Sequence, residues 1–511
     1  MRTVNEEDDI AWLIENCRIT GERSLDLSCY DMTEVPAEIE GFKNLRSLNL
    51  SGNKFRSLPE WLGTLTNLRE LDISRNFKLK SLPKKFDRLH NLESLCITGT
   101  SSCEVPKSVR ELKQLKELFL DGKYGIPPWI GEFVNLEQLD VSGRVRKIPE
   151  SMGKLTSLKK LGIACNYLRE LPEFLCSLSS LEELELTGGG LRFRKLPDSF
   201  GNLRALKKLC IACFVFLETL PESFGNLSSL RELDFDLCKI GYLPESFGNL
   251  SALETLTIAR TGLGKLPESF GNLRNLKVFV SESDDFTRLP ESFGNLTSLE
   301  ELTLIGNKIT CFPESFGNLK SLRILHMGTN LDSIIVKENP MKNKERLLDS
   351  VHKYDAIQFP ESFGGLESLE EMNIIGNIAR LPESFGQLRS LKKLDLNFWI
   401  FVVVKYKDRV LHREGIVENN FDALPESFGC LESLEFFSLR GGKVKTLPDS
   451  FRNLGALKTL SLADLNLESL PDFLAALPSL EEINVHRCTF TPSLQRRIDN
   501  GEFLPYYPLL L

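Results

Sequence analysis

The residue types that usually carry catalysis or bind metal ions occur in this chain, but their spacing does not build a reactive site. The 5 histidines, His326 among them, are scattered and form neither an HExxH pair nor a Cys–His group. Cys210 and Cys213 form an isolated CxxC pair. Zinc needs three or four ligands around one ion, so this pair predicts no metal site. We therefore expect a chain that is not an enzyme and that uses no cofactor and no metal.

Composition excludes several other classes of protein. The 511 residues include 63 Lys and Arg against 71 Asp and Glu, giving a net charge of −8, whereas nucleic-acid-binding domains are usually basic. The longest strongly apolar run, residues 398–404, is far shorter than the roughly 18 residues of a membrane-spanning helix. The acidic N-terminus resembles no signal peptide, and the 12 cysteines do not cluster at the ends. These features predict a cytoplasmic protein without a nucleic-acid partner or a membrane span.

A regularly recurring proline divides most of the chain into short units. Pro221, Pro244, Pro267 and Pro290 are each 23 residues apart, and each follows a leucine. The unit reads LPESFGNLxxLxxLxLxxN and contains one Leu-x-Leu strand, whose two leucines point to the same side. A strand this short cannot bury its own apolar side, so many units must stack into a solenoid.

A second apolar position recurs in the same units. A phenylalanine falls three residues after the marker proline in many of them, which predicts one continuous aromatic column inside the stack. Its members are Phe86, Phe200, Phe224, Phe247, Phe270, Phe293, Phe316, Phe363, Phe385, Phe428 and Phe451.

These motifs resemble the leucine-rich repeat family, in particular its intracellular Ras-group type, and LPESFGNLSSL is similar to the repeat region of plant disease-resistance receptors. The resemblance implies an α/β fold: a right-handed solenoid, or horseshoe, with a parallel concave sheet and short helices or 3-10 turns on the convex side. The chain departs from those receptors because it has no GxxxxGK[ST] nucleotide-binding loop. It also departs at the family's asparagine position, which is occupied in other coils by Thr100, Phe214, Cys238 and Thr261. An aromatic residue there cannot satisfy the backbone groups of the turn, which predicts irregular turns.

The period also predicts the domain organisation. Residues 1–23 form an N-terminal capping helix, residues 24–490 form about 18 to 19 repeats, and residues 491–511 form a C-terminal cap or tail. Two insertions, 331–355 and 398–419, interrupt the repeats. The first predicts a short helix after Pro340, and the second predicts a β-hairpin that turns near Lys407–Arg409 with a basic tip.

Acidic residues recur at the exposed positions of the predicted strands, which makes the concave face negative. Such a face favours a protein partner with a basic surface. The candidate protein-binding residues, on this face and on the second insertion, are Glu183, Glu185, Glu232, Asp234, Asp236, Glu301, His326, Glu371, Asn373, Asp395, Trp399, Lys405, Lys407 and Arg409. The same acids would also keep an exposed sheet hydrated, and the insertions would also fit as tolerated loops, so both interpretations stay open.

The predicted function is that of a non-catalytic protein–protein interaction scaffold or recognition module in intracellular signalling or defence. Two alternatives remain. The chain resembles the sensor arm of a disease-resistance-type receptor, and it resembles secreted effectors of the ubiquitin-ligase repeat class without their catalytic domain. The sequence predicts no oligomeric state.

Overall fold

A computed structural model describes residues 6–100, 107–121, 125–165, 167–188, 194–328, 356–398, 400–406, 409–416 and 421–499. The chain divides into two compact units, Met1–Lys239 and Ile240–Leu511, called unit 1 and unit 2 below.

Unit 1 begins with helix α1 (Glu6–Thr20) and continues as a parallel sheet in which each strand pairs with the next strand along the chain. Its strands are β1 (Ser24–Asp26), β2 (Ser47–Asn49), β3 (Glu70–Asp72), β4 (Ser94–Ile97), β5 (Glu117–Asp121), β6 (Gln138–Gly143), β7 (Lys160–Cys165), β8 (Glu183–Thr187), β9 (Lys208–Ala212) and β10 (Glu232–Asp236).

The main sheet of unit 2 is parallel as well. It consists of β11 (Thr255–Ala259), β12 (Val278–Glu282), β13 (Glu301–Ile305), β14 (Ile324–Gly328), β16 (Glu371–Ile375), β18 (Lys393–Asn397), β21 (Phe436–Arg440), β22 (Thr459–Ala463) and β24 (Glu482–His486). Outside it lie two short parallel pairs and one antiparallel pair, and the last described helix is α2 (Pro492–Asp499). The pairs are β15 (Ile357–Gln358) with β17 (Ile378–Arg380), β19 (Ile400–Tyr406) with β20 (Arg409–Ile416), and β23 (Asn466–Leu467) with β25 (Thr489–Phe490).

Short 3-10 helices stand opposite the strands, and most begin directly after the marker proline. Pro290 has φ −69°, the value to which its ring restricts it, so the proline starts the turn without strain. In unit 1 these helices are Ala37–Gly41, Glu60–Thr64, Lys84–Arg88, Lys107–Glu111, Ile130–Glu132, Glu150–Lys154, Glu173–Ser177, Phe200–Asn202 and Glu222–Asn226. In unit 2 they are Glu245–Asn249, Glu268–Asn272, Glu291–Asn295, Glu314–Asn318, Glu361–Gly365, Glu383–Gln387, Glu426–Cys430, Asp449–Asn453 and Asp472–Ala476. One strand and one 3-10 helix per repeat confirm the predicted solenoid.

The predicted aromatic column is present in both units. In unit 1 the rings of Phe200 and Phe224 stack with centroids 5.9 Å apart and planes 4° apart. In unit 2 the rings of Phe270 and Phe293 lie 6.0 Å apart at 3°. The members of the column in the described coils are fully buried, so each contributes about 1.5–3 kcal/mol of apolar burial to its coil.

The glycine of the ESFGN segment lets neighbouring coils approach each other. A Cβ atom at Gly294 would lie 2.0 Å from the backbone oxygen of Ser315 in the next coil. The same close approach recurs at Gly248 and Gly271, 2.1 Å from the corresponding oxygens. A side chain at this position would push the 3-10 helices apart and loosen the aromatic column.

We expect Gly294→Ala to destabilise unit 2 by about 1–3 kcal/mol, the usual cost of overpacking a rigid contact. Gly455→Ala is the matched control, because a Cβ atom there meets nothing within 4 Å. Urea denaturation followed by circular dichroism measures both. Equal midpoints for the two variants would contradict the close-approach argument.

Polar side chains close the turns that follow the strands, although the residue type varies. Asn53 donates from Nδ2 to the backbone oxygen of Leu27 at 2.8 Å, as asparagine does at this position. Thr100 donates to the Ile97 oxygen at 2.8 Å, and the Cys238 thiol donates to the Ile211 oxygen at 3.3 Å. Hydroxyl and thiol donors therefore replace the asparagine amide at these two turns.

One of these turns depends on a residue that the sequence analysis overlooked. Asp284 is 2% exposed and accepts hydrogen bonds from the Thr261 amide at 2.8 Å and the Thr261 hydroxyl at 2.7 Å. It also accepts one from the Gly262 amide at 3.1 Å and one from the Ser281 hydroxyl at 3.0 Å. Burial raises the pKa of Asp284, while these donors oppose the rise. An aspartate in the next coil thus completes the turn in which threonine replaces asparagine.

A column of alternating charge precedes the strands, at the position two residues before the first inward side chain. Between Arg69 and Glu481 the signs alternate except at Lys207 and Arg231. Within unit 1 the described ion pairs of this column are Arg69–Glu93, Lys116–Glu93, Lys159–Glu137 and Lys207–Glu182, at 2.6–3.1 Å. Within unit 2 they are Lys277–Glu254, Arg323–Glu370, Lys392–Glu370 and Lys458–Glu435, at 2.5–2.9 Å. Neighbouring coils therefore attract at this edge, whereas a coil displaced by one repeat would meet a like charge.

Glu370 provides a test of this column, because it pairs with both Arg323 and Lys392 at 2.9 Å. These two cations lower the pKa of Glu370 from 4.5 to about 2. A lowered folded-state pKa gives stability that is present above pH 4.5 and is lost as the pH falls toward about 2. We expect Glu370→Gln to lower the melting temperature near neutral pH, and we expect this deficit to shrink as the pH falls from 4.5 toward about 2.

The control for this experiment is Glu426→Gln, at an exposed glutamate of a 3-10 helix outside the column. Its melting temperature relative to the wild type should not change with pH. A Glu370→Gln deficit that persists unchanged at low pH would show that the ion pairs are not its cause.

The ends and insertions of the repeat region are described only in part. A helix occupies Glu6–Thr20, within the residues 1–23 for which the sequence predicts a capping helix, and its Ile14 and Cys17 are buried. Strands β19 and β20 form an antiparallel hairpin in the second insertion, as expected. The first insertion, with the helix expected after Pro340, and the tail after residue 499 lie outside the described residues. The predicted domain boundaries remain predictions.

Candidate protein-binding face

The strands of both units present every second side chain to the outside. In β10, Leu233 and Phe235 are buried, whereas Glu232, Asp234 and Asp236 point away from the core. The same alternation holds along the sheet, so each full strand offers a first, a central and a last outward position. We call this outward surface of the strands the sheet face.

The sheet face of unit 1 brings together the acids that the sequence predicts there. Glu183 and Glu185 lie on β8 and the three acids on β10, with β9 between them. The register aligns Lys208 with Glu183 and Glu232, and Cys210 with Glu185 and Asp234. Five predicted residues that are up to 53 positions apart in sequence therefore form one surface.

Lysines neutralise the first outward position but not the central one. Lys208 pairs with Glu232 at 3.0 Å, and Lys160 pairs with Glu183 at 2.9 Å. At the central position, one carboxylate oxygen of Asp234 is buried and has no hydrogen-bond partner among the described residues. Burial, and then the nearby Asp236 carboxylate, raise the pKa of Asp234. The negative potential of this face is therefore strongest along the central position.

The pKa of the Cys210 thiol responds to this negative potential. Burial raises the pKa of its thiol to about 11, and the carboxylates of Asp234 and Glu185 add to the rise. A thiol held protonated in this way is a poor nucleophile.

A glycine opens the sheet face next to these acids. The central positions from β6 to β10 are Asp140, Gly162, Glu185, Cys210 and Asp234. A Cβ atom at Gly162 would lie 1.9 Å from the Asp140 carboxylate, so that carboxylate leans over the glycine. A cavity of about 150 Å³ lies here, lined by both lysines and the acids of β6 and β8.

We expect Asp234→Asn to speed the alkylation of Cys210 by iodoacetamide several-fold at mildly alkaline pH. Removing the negative charge lowers the pKa of the thiol, and each pKa unit changes the thiolate population about tenfold. Mass spectrometry of the Cys210 peptide gives the rate. The exposed Cys29 in the same sample is the control, and its rate should not change. An unchanged Cys210 rate would mean that Asp234 does not set the local potential.

The sheet face of unit 2 holds a second group of predicted residues. The register places His326, Asn373, Asp395 and Ser438 side by side on β14, β16, β18 and β21. Burial raises the pKa of Asp395, against a hydrogen bond from Ser438 that lowers it. The Asn373 side-chain oxygen is buried without a hydrogen-bond partner among the described residues. We call these four residues the polar row.

Glu371 connects the polar row with the first outward position. It lies 2.8 Å from the Lys393 ammonium and 3.5 Å from His326 Nε2. Hydrogen bonding to Lys393, the larger effect, together with His326 holds the pKa of Glu371 below its usual value. Glu301 lies two strands away on β13, at the same outward position.

The insertions leave the chain beside the polar row. The first follows β14 and the second follows β18, the strands that carry His326 and Asp395. Lys405 lies on β19 and Arg409 lies on β20, and the structure describes only the backbone of these two residues. Trp399 and Lys407 lie outside the described residues.

The acidic character of the sheet face is less uniform than the sequence analysis expects. Thr257, Val280 and Thr303 take the central position on β11, β12 and β13. The notch at Gly162 and the contribution of Cys210 and Ser438 were missed, although comparing residues one repeat apart would have aligned them. Within the described residues no cluster of three or more His, Cys, Asp or Glu side chains fits a metal ion. No described helix combines the length and apolarity needed to cross a membrane.

Comparison with known sequences supports the repeat assignment. A profile described as a leucine-rich repeat region matches residues 61–167, 142–238 and 233–359, and a single leucine-rich repeat profile matches residues 44–65. The three regional matches together run from residue 61 to residue 359, more than half of the 511 residues.

Curated relatives match only in part. The TMV resistance protein N of Nicotiana glutinosa is 32% identical over 163 residues, 30% of this chain and 14% of that protein. The probable serine/threonine-protein kinase pats1 of Dictyostelium discoideum is 34% identical over 111 residues, 20% of this chain and 3% of the kinase. The chain thus spans a small fraction of the length of these relatives.

A solved structure shares the fold over most of the chain. It is a Leptospira interrogans leucine-rich repeat protein, which superposes with a TM-score of 0.61 at 23% identity and covers 87% of this chain and 96% of its own. Together with the profile matches and the strand-and-turn coils, this places the chain in the leucine-rich repeat family, as its repeated LPESFGNL segments predict.

Proposed function

We propose that this chain is a non-catalytic recognition module that binds a protein partner through its sheet face, in intracellular signalling or defence. The observation that carries the proposal is the central row of unit 1, where Asp140 and Glu185 flank the Gly162 notch and Asp234 continues the row on β10. A leucine-rich repeat solenoid typically acts as a binding scaffold. Its stacked coils hold the sheet face rigid, so little conformational entropy is lost when a partner binds.

The chemistry of the central row favours a partner that presents arginine or lysine side chains. Carboxylates of reduced solvent exposure attract cations more strongly than fully exposed ones, because water screens them less. The notch of about 150 Å³ offers room for the end of one such side chain beside Asp140 and Glu185, while the two lysines of its lining are paired with Glu183 and Glu232. An arginine would donate paired hydrogen bonds there, which adds direction to the attraction.

The polar row and the hairpin of unit 2 support a second contact region. The Asn373 side-chain oxygen is buried without a hydrogen-bond partner among the described residues, and the two insertions begin beside the row. Residues on an insertion can vary without disturbing the coils, which suits a surface that selects a partner. The basic residues Lys405, Lys407 and Arg409 are proposed to contact the same partner.

The role in defence rests on the likeness to the TMV resistance protein N, of which this chain spans 14%. Because the match covers only one part of that resistance protein, we also consider a second function, the sensor arm of a disease-resistance-type receptor. Such an arm would work with a nucleotide-binding half encoded next to it or in another chain. A neighbouring reading frame for that half, with co-purification of the two products, would distinguish the arm from a self-contained module.

The test uses crosslinking mass spectrometry of the full chain in native lysate, followed by pulldown with the identified partner. We expect Glu185→Lys with Asp234→Lys to reduce partner recovery by about tenfold or more, since opposite charges replace the central carboxylates. Glu222→Lys with Glu268→Lys is the control, because it makes the same charge change on exposed 3-10 helices. Equal recovery with both double variants would contradict the proposed face.

A second variant tests the insertion. Residues 400–418 are replaced by a short turn, while Phe398 and Phe421 are kept because their buried rings pack 5.2 Å apart. Loss of the partner with an unchanged melting temperature is expected. Full recovery of the partner would exclude the hairpin from the contact.

A further inference from the structure

Unit 1 carries a groove on a surface different from the sheet face. It has a volume of about 1090 Å³ and lies along three consecutive coils, beside the segments that lead into Pro149, Pro172 and Pro197. Five cationic side chains line it, all of them exposed, namely Arg146, Lys147, Arg169, Arg194 and Lys195. We call this feature the basic groove.

The repeat places three arginines in register. Arg146, Arg169 and Arg194 each lie three residues before the marker proline of their coil. The strands of these coils lie about 5 Å apart, and all three arginines line the same groove. The next three coils have Glu218, Gly241 and Gly264 at this position. The coil itself therefore does not require a cation here, and the run of arginines calls for another explanation.

The acids in the basic groove only partly offset these cations. Glu173 accepts hydrogen bonds from the Asp198 amide at 3.1 Å and the Ser199 amide at 3.3 Å. With the Ser199 hydroxyl, which is the largest influence, these donors lower the pKa of Glu173 and engage its charge. Glu150 and Glu170 are the other acids of the lining, against five cations.

The ion pairs in the basic groove are weak, so its cations stay available for a ligand. Arg194 lies 3.9 Å from Glu218, and Lys195 lies 3.6 Å from Asp198, both at exposed positions. Pairs this long and exposed contribute little, so a stronger anion can replace them. Neither Arg146 nor Arg169 forms an ion pair with any residue that the structure describes.

An aromatic ring orients one of the arginines. The Arg146 guanidinium lies over the ring of Tyr167 at 5.7 Å from its centroid, and Tyr167 is 45% exposed. Stacking uses the flat face of the guanidinium and leaves its edge N–H groups free to donate. This arrangement presents a planar donor fork at one end of the groove.

We propose that the basic groove binds a compact polyanion that carries at least two phosphate groups. Guanidinium groups bind phosphate with paired hydrogen bonds, and two of them one coil apart can share a single phosphate. Lys147 and Lys195 supply further charge at either end. The acidic sheet face of the same unit repels such a ligand, so this function is separate from the proposed recognition of a basic partner.

Isothermal titration of the full chain with sodium tripolyphosphate at low ionic strength tests the proposal. We expect binding that weakens as salt is added, because the cations are exposed and salt screens them. The variant Arg146→Gln, Arg169→Gln, Arg194→Gln should bind about tenfold more weakly or not at all. Circular dichroism checks that its melting temperature matches the wild type.

The control triple variant is Arg288→Gln, Arg380→Gln, Arg389→Gln, which removes the same charge from exposed positions of unit 2. It should bind tripolyphosphate like the wild type. No binding by the wild type, or an equal loss in the control triple variant, would overturn the proposal.

A doubly phosphorylated peptide, run beside its unphosphorylated form, identifies the source of the phosphates. Tighter binding of the peptide than of tripolyphosphate, dependent on the three arginines, would assign the groove to a phosphorylated protein segment. Tighter binding of tripolyphosphate would assign it to a free polyphosphorylated molecule. Both results support a phosphate-binding groove.

Discussion

Within each unit, the described coils bury their apolar side chains against the coils before and after them. A strand of three to six residues and one 3-10 turn enclose too little volume to exclude water alone. The contact between coils depends on the ESFGN glycine, whose Cα faces the next coil's serine oxygen, and on the stacked phenylalanines beside it. Where this contact between coils forms, the inward leucines of neighbouring coils come into register.

That constraint leaves the outward positions free. The leucines and phenylalanines fill the core. The fold therefore does not require particular residues on the sheet face or in the segment before each proline. In unit 1 the two surfaces have acquired opposite character, with carboxylates along the central row and arginines along the basic groove. One rigid stack can therefore present two ligand chemistries, because charges on separate surfaces are screened from each other over about 8–10 Å of salt solution.

Much of the fold follows from local patterns. The marker proline, the Leu-x-Leu strand and the third-position phenylalanine each act within one repeat, and their predicted roles are confirmed by the stacked coils. The turns were harder to predict, because Thr261 depends on Asp284 from the following coil. The acids of the candidate site were identifiable as exposed, but their pairing with Lys160 and Lys208 was not.

The repeat pattern alone determined which side chains face the core, since alternation along a strand is a property of the backbone and needs no partner. Stacking decided which outward residues became neighbours. Stacking brings Cys210 to about 5 Å from Asp234 on the neighbouring strand, and it brings Arg146, Arg169 and Arg194 to the lining of one groove. Electrostatic interactions fall off with distance through space and not along the chain, so charge, pKa and binding chemistry emerged only once the coils were in register.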